Sequence, residues 1–171
     1  MGELKVLIDE QTLQARIKEM AKQFMEEYKG KEITFICILK GSIFFTVDLS
    51  KYIDGDVRID FVRVSSYEGE ESTGEIKMKQ DLKDSIQGKD VIIIEDIIDT
   101  GRTLKYLKEY LKIKKPNSIK ICTLLDKKER RVCDMEADYV GFTIPDKFVV
   151  GYGLDYDEKY RNLPYIGYFD V

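Results

Sequence analysis

The run Val91-Ile92-Ile93-Ile94-Glu95-Asp96-Ile97-Ile98-Asp99-Thr100-Gly101-Arg102-Thr103-Leu104 constrains the fold more than any other stretch of this chain. Val91 to Ile94 are β-branched and apolar without alternation, so the strand they form must be buried on both faces. Such a strand belongs at the centre of a parallel sheet. The apolar run stops on the adjacent carboxylates Glu95 and Asp96, Asp99 follows, and Thr-Gly-Arg-Thr then opens a helix. In open α/β sheets ligands bind beyond the carboxyl ends of the strands, where helix N-termini also point. A glycine and hydroxyls at that turn form a cradle of N–H groups suited to a phosphate. Acids beside the cradle would repel a bare phosphate, so the pattern calls for a sugar's hydroxyls or a Mg²⁺ ion between them. Taken one at a time, Glu95 and Asp96 read as strand-end acids and Asp99 as a helix cap. The segment is not a Walker A loop, because Asp96 stands where that motif needs its first glycine and Arg102 stands in place of its lysine.

A chain of 171 residues, 43% of them hydrophobic, is enough for one domain with its own core. With a net charge of −4 and both signs abundant, there is no basic footprint for nucleic acid. No apolar run approaches the ~20 residues of a membrane helix, and Met1-Gly2-Glu3-Leu4-Lys5 does not read as a signal peptide. Cys37, Cys122 and Cys133 are odd in number and lack CxxC spacing, so they read as small hydrophobes in a reducing cytoplasm. The chain has no His, which excludes Ser-His and Cys-His catalysis and leaves carboxylates, Lys and Tyr for proton transfer.

Asp9 can cap a helix whose buried face is Leu13, Ile17, Met20, Ala21, Phe24 and Tyr28, closed by Gly30. Strands are expected over 33–39, 57–64, 118–125, 139–144 and 148–151, with helices after Lys40-Gly41-Ser42 and after the central strand. Residues 65–75, with Tyr67 as their one large side chain and Gly69 and Gly74 as hinges, read as an exposed mobile loop. Asp126-Lys127-Lys128-Glu129-Arg130-Arg131 reads as a charged loop. Strands alternating with helices give a parallel sheet of the α/β class.

The fourteen-residue run resembles the phosphoribosyl pyrophosphate signature of the type I phosphoribosyltransferases. Leu39-Lys40-Gly41-Ser42, Ser65-Ser66-Tyr67, Leu124-Leu125-Asp126-Lys127 and the stretch from Pro145-Asp146-Lys147-Phe148-Val149 through Asp155-Tyr156 to Tyr160-Arg161 extend the likeness, in order and spacing, to the hypoxanthine-guanine enzymes, and Arg161-Asn162-Leu163-Pro164-Tyr165-Ile166-Gly167 to bacterial members. Asp99 stands where adenine and orotate enzymes generally lack an acid, and Arg102 where mammalian relatives often have Lys.

The resemblance implies a single phosphoribosyltransferase domain over 1–171, a lid at about 65–76 with Ser66 and Tyr67, and a small hood of chain-terminal segments, its C-terminal part at about 145–171. It implies purine salvage in the cytoplasm by a homodimer or homotetramer, with hypoxanthine, guanine and phosphoribosyl pyrophosphate as substrates, IMP and GMP as products, and no nucleic acid or membrane partner. By the same likeness, Lys40, the N–H of Gly41 and Arg161 bind pyrophosphate, and the peptide joining Leu39 to Lys40 can be cis. Glu95 and Asp96 hold the ribose hydroxyls or Mg²⁺, Asp155 takes a metal, and Asp99, Thr100, Gly101, Arg102 and Thr103 surround the 5′-phosphate. Asp99 serves catalysis at purine N7, Lys127 donates to O6, Phe148 stacks on the base, and the carbonyls of Val149 and Asp155 accept from a 2-amino group. Two rival classes are a nucleic-acid-binding regulator on the same fold, at odds with the acidic charge, and a Mg²⁺-dependent phospho-acceptor or phosphatase module, which leaves Lys40, Gly41 and Phe148 without a role.

Overall fold

The structure is a computed structural model and describes residues 2–66 and 75–170. Its larger sheet contains β2 (Ile33–Ile38), β3 (Val57–Ser66), β4 (Ile76–Gln80), β5 (Asp90–Ile98), β6 (Ser118–Asp126) and β7 (Tyr139–Thr143), in the order β4-β3-β2-β5-β6-β7. All neighbours are parallel except β3 and β4. Helices α1 (Glu10–Glu27), α2 (Ile43–Lys51) and α3 (Arg102–Lys112) flank it.

The β-branched run sits at the centre as expected. Ile92 and Ile94 face a core shared with Leu13, Phe24 and Phe45, whereas Val91 and Ile93 face the other, shared with Leu104 and Leu107. Each such fully buried aliphatic side chain contributes about 1.5–3 kcal/mol. Asp9 caps α1, its carboxylate accepting from the Thr12 N–H at 2.7 Å, and all six residues of the expected face are buried. At the β7 edge, Arg16 of α1 donates to the carbonyls of Gly141 and Val140 at 2.9 and 2.8 Å, using groups an edge strand would leave open.

A second sheet joins β1 (Leu4–Ile8), β9 (Ile166–Phe169) and β8 (Val149–Val150), all antiparallel, in the order β1-β9-β8. It is the small hood built from chain-terminal segments. Among the described residues, no helix is long and apolar enough to cross a membrane.

Three readings need correction. β5 does not stop at the acids. It runs on to Ile98 because β6 keeps pairing with it at Glu95↔Thr123, Ile97↔Leu125 and Ile98↔Asp126, after β2 has parted at Cys37↔Ile94. β3 continues past Val64 through Ser66, because β4 supplies a partner at Ser65↔Lys77 and Ser66↔Ile76. The loop expected over 65–75 is therefore shorter at its start, and Tyr67, Gly69 and Gly74 lie outside the described residues.

Candidate active site

At the end of β2, the peptide joining Leu39 to Lys40 is cis, and Gly41 and Ser42 lead directly into α2. Gly41 lies so close to β5 that a Cβ would overlap the Asp96 carboxylate, and a Cβ on Gly153 would overlap the Gly41 carbonyl. This packing brings the hood against the end of β2.

Glu95 is buried and Asp96 half-buried in the last part of β5. Burial pushes the Glu95 carboxyl well above its usual range, and the neighbouring Asp96 charge adds to the effect. Burial also raises Asp96, against hydrogen bonds and the Arg161 charge, which lower it. Both acids of the adjacent pair are thus held above the ordinary carboxylate range by burial.

Asp99 through Thr103 form the turn into α3, and all of them except Arg102 line a small cleft of about 100 Å³ with Glu95, Ile97, Ile98 and Leu104. Gly101 is the N-cap of α3 with φ 86°, a left-handed conformation suited to glycine, and it offers no capping side chain of its own. Thr100 Oγ1 accepts from the Arg102 N–H at 3.4 Å. The reading of Asp99 as a helix cap therefore falls. A helix N-terminus with no side-chain cap and no acid in its first turn suits an anion. A larger hollow of about 310 Å³, lined by Tyr28, Ile33 and Asp56, lies at the amino-terminal end of β2, away from these loops.

The Asp99 carboxylate accepts from Arg130 Nε at 2.8 Å, and Arg131 Nη1 donates to the Asp99 carbonyl at 3.0 Å. Arg130 Nη1 lies 3.6 Å from Asp146, and Lys127 Nζ lies 3.6 Å from the other Asp146 oxygen. Lys127 follows β6 directly, and its side chain is only 9% exposed, so the charged-loop reading does not hold for it. Phe148 is 55% exposed and stands edge-on to Tyr156, while Val149 is buried in β8.

Asp155 and Arg161 occupy the hood loop between β8 and β9. Arg161 Nη2 lies 3.2 Å from Asp155, Nη1 donates to the Gly153 carbonyl at 2.7 Å, and the Glu158 N–H donates to Asp155 at 2.9 Å. Glu158 bridges Lys40, at 2.8 Å, and Arg161, at 3.0 Å. Among the described residues, no three His, Cys, Asp or Glu side chains gather where they could hold a metal ion by themselves. Glu95 and Asp96 stand together at the end of β5, and Asp155 stands in the hood loop beside Arg161. Of the two lid residues, Ser66 ends β3 and Tyr67 lies outside the described residues. Sequence reasoning missed Glu158, Arg130 and Asp146 as partners of the site. The Asp146-Lys147-Phe148 context was the one available signal.

An uncrowded helix N-terminus, a buried and a half-buried acid and facing cations lie together along the carboxyl edge of one sheet, an arrangement suited to an anionic sugar phosphate. The family model described as phosphoribosyl transferase domain matches residues 6–157, and the chain belongs to the phosphoribosyltransferase family. It is 51% identical to a hypoxanthine-guanine phosphoribosyltransferase of Streptococcus thermophilus over 164 residues, covering 95% of this chain and 91% of that protein. It is 56% identical to one of Staphylococcus aureus, covering 95% and 92%. The crystal structure of a hypoxanthine-guanine phosphoribosyltransferase from Bacillus anthracis superposes with a TM-score of 0.94 at 49% identity, covering 99% of this chain and 100% of that one. Within the family, this chain sits among the hypoxanthine-guanine phosphoribosyltransferases.

Proposed function

We propose that this protein transfers the 5-phosphoribosyl group of phosphoribosyl pyrophosphate to N9 of hypoxanthine or guanine, giving IMP or GMP and pyrophosphate in purine salvage. The observation that supports this purine choice is the chain Asp99–Arg130–Asp146–Lys127, which places an acceptor and a donor on adjoining strand-end loops. The C1′–O bond to pyrophosphate breaks, with its electron pair leaving on the pyrophosphate, and N9 bonds to C1′. Asp99 accepts the proton of purine N7, which raises electron density in the imidazole ring. Lys127 donates to O6, and a 6-amino group would set donor against donor there. Exposed Phe148 stacks on the base, and the Val149 and Asp155 carbonyls accept from a 2-amino group.

Lys40, the Gly41 N–H and Arg161 bind pyrophosphate. Glu95 and Asp96 hold the ribose hydroxyls, and Thr100, Gly101, Arg102 and Thr103 bind the 5′-phosphate at the start of α3. Buried Glu95 and half-buried Asp96, together with Asp155, are hard oxygen donors that fit Mg²⁺. This ion characteristically takes one or two carboxylates alongside substrate oxygens rather than an all-protein cage. Bound there, it would neutralise charge on the leaving pyrophosphate. Residues 1–171 act as one domain, in which a lid at about 65–76 with Ser66 and Tyr67 excludes water and the hood at about 145–171 closes the base side. The protein works in the cytoplasm as a homodimer or homotetramer, a reading supported by exposed Ile43, Phe44 and Val47 on α2.

A spectrophotometric assay with each purine tests the reading. Hypoxanthine and guanine turn over with phosphoribosyl pyrophosphate and Mg²⁺, adenine does so very poorly, and EDTA abolishes turnover. Adenine turnover equal to that of guanine would overturn the purine assignment.

A further inference from the structure

Arg130 ties together three successive loops at the carboxyl edge of the sheet. It sits in the short 3₁₀ turn Lys128–Arg130 after β6. Its Nε donates to Asp99 in the loop after β5 at 2.8 Å, and its Nη1 faces Asp146 in the loop after β7 at 3.6 Å. Only Oδ1 of Asp99 is used in this way, and among the described residues Oδ2 has no side-chain or backbone partner. The next residue fixes the main chain of the same loop. Arg131 Nη1 donates to the Asp99 carbonyl at 3.0 Å, its Cδ packs under Gly101, and its guanidinium is anchored on buried Asp126. The Val132 N–H donates to the Thr100 carbonyl at 3.1 Å. The backbone of the Asp99 loop is thus held by Arg131 and Val132, and the Asp99 carboxylate, among the described residues, by Arg130.

We infer that Arg130 is a positioning residue for Asp99, turning the carboxylate so that one oxygen is held and the other faces purine N7. The inference rests on the function proposed above. A base oriented by a third group through its far side is a recurring catalytic arrangement. Arg suits the task because its planar fork reaches two acids at once, and a Lys has no such fixed geometry. The role is separable from folding. Both Arg130 and Asp99 are about half exposed, and ion pairs of that kind add little to stability.

The test measures steady-state kcat and KM for Arg130→Ala and Arg130→Lys, each in the wild-type and the Asp99→Ala backgrounds, with guanine, phosphoribosyl pyrophosphate and Mg²⁺. Melting curves accompany each variant. In the wild-type background, Arg130→Ala lowers kcat by about tenfold to a hundredfold, the scale of a lost hydrogen bond to a charged group. KM for phosphoribosyl pyrophosphate and the melting temperature change little, and Arg130→Lys recovers part of the loss. In the Asp99→Ala background, Arg130→Ala adds nothing further, because the group it positions is gone. An equal kcat loss in both backgrounds would overturn the inference, as would full activity of Arg130→Ala beside a damaged Asp99→Ala. An undamaged Asp99→Ala overturns the purine-site reading and the inference together.

Discussion

Lys40 and Glu158, 118 positions apart in the sequence, meet at 2.8 Å, and the other Glu158 oxygen holds Arg161 at 3.0 Å. Glu158 is an exposed residue whose carboxyl is held below its usual range by these two cations. It therefore engages both of the cations proposed for pyrophosphate and competes with a phosphate ligand for them.

Glu158→Gln removes a competing charge while keeping the size of the side chain. Exposed ion pairs are worth about 0–1 kcal/mol, so KM for phosphoribosyl pyrophosphate should fall by up to about fivefold and product inhibition by pyrophosphate should tighten to match. Initial-rate kinetics with added pyrophosphate measure both. A higher KM would mean that Glu158 organises the cations rather than competing for them.

Lys127→Ala tests the base contact. If Lys127 is the proposed donor to O6, its loss costs about 1–3 kcal/mol, or roughly tenfold to over a hundredfold in purine kcat/KM. KM for phosphoribosyl pyrophosphate should hardly move. Lys128→Ala, at an exposed neighbour, should be nearly silent. Equal, small effects at the two positions would place the O6 contact elsewhere.

Gly41→Ala puts a methyl group onto the Asp96 carboxylate. Overpacking of this kind costs about 1–3 kcal/mol, and the displaced loop should weaken phosphoribosyl pyrophosphate binding as well. Urea denaturation and ligand titration give the two effects separately. Unchanged stability would show that the loop moves aside freely.

Glu95→Gln should stabilise the fold at neutral pH while impairing activity. The Glu95 carboxyl is raised above its unfolded value by burial, so the folded state binds more protons than the unfolded chain between the two values. Stability is therefore highest below the ordinary carboxylate range and is lost as pH rises through the raised value. The mutant removes that loss, so its advantage in melting temperature should be present at pH 7 and shrink as the pH falls towards about 4. An advantage independent of pH would mean that the gain comes from packing.

Those parts of the fold that depend on periodic burial were legible in the sequence. The α1 face, from Leu13 to Tyr28, and the β5 run each carry their own pattern, because one face or both must meet a core. Leu4–Ile8, Ile166–Phe169 and Ile76–Gln80 do not. They are short edge or hood strands, and their partners lie far along the chain or, for β4, in the strand that precedes it. The site divides along the same line. Lys40, Asp99 and Lys127 sit where strands end, but position alone made Asp99 a helix cap and Lys127 a loop charge, and only the family resemblance singled them out. Glu158, Arg130 and Asp146 are ordinary charged residues in polar loops, and their meaning comes entirely from what the fold sets opposite them.

The hood has a consequence for how the chain reaches its final form. β1 pairs with β9, so Lys5 and Asp170 meet across 165 positions, and β9 in turn holds β8 with Val149. On the ribosome β1 emerges early and must wait, unpaired, until nearly everything after it has been made. The six-stranded sheet, built mostly from neighbouring segments, can assemble first, whereas closing so long a loop is entropically slow. By that reasoning the hood should be the last part of the molecule to take shape, and extensions fused near β1 or β9 act on Val149 of β8 through the one strand pair β8–β9.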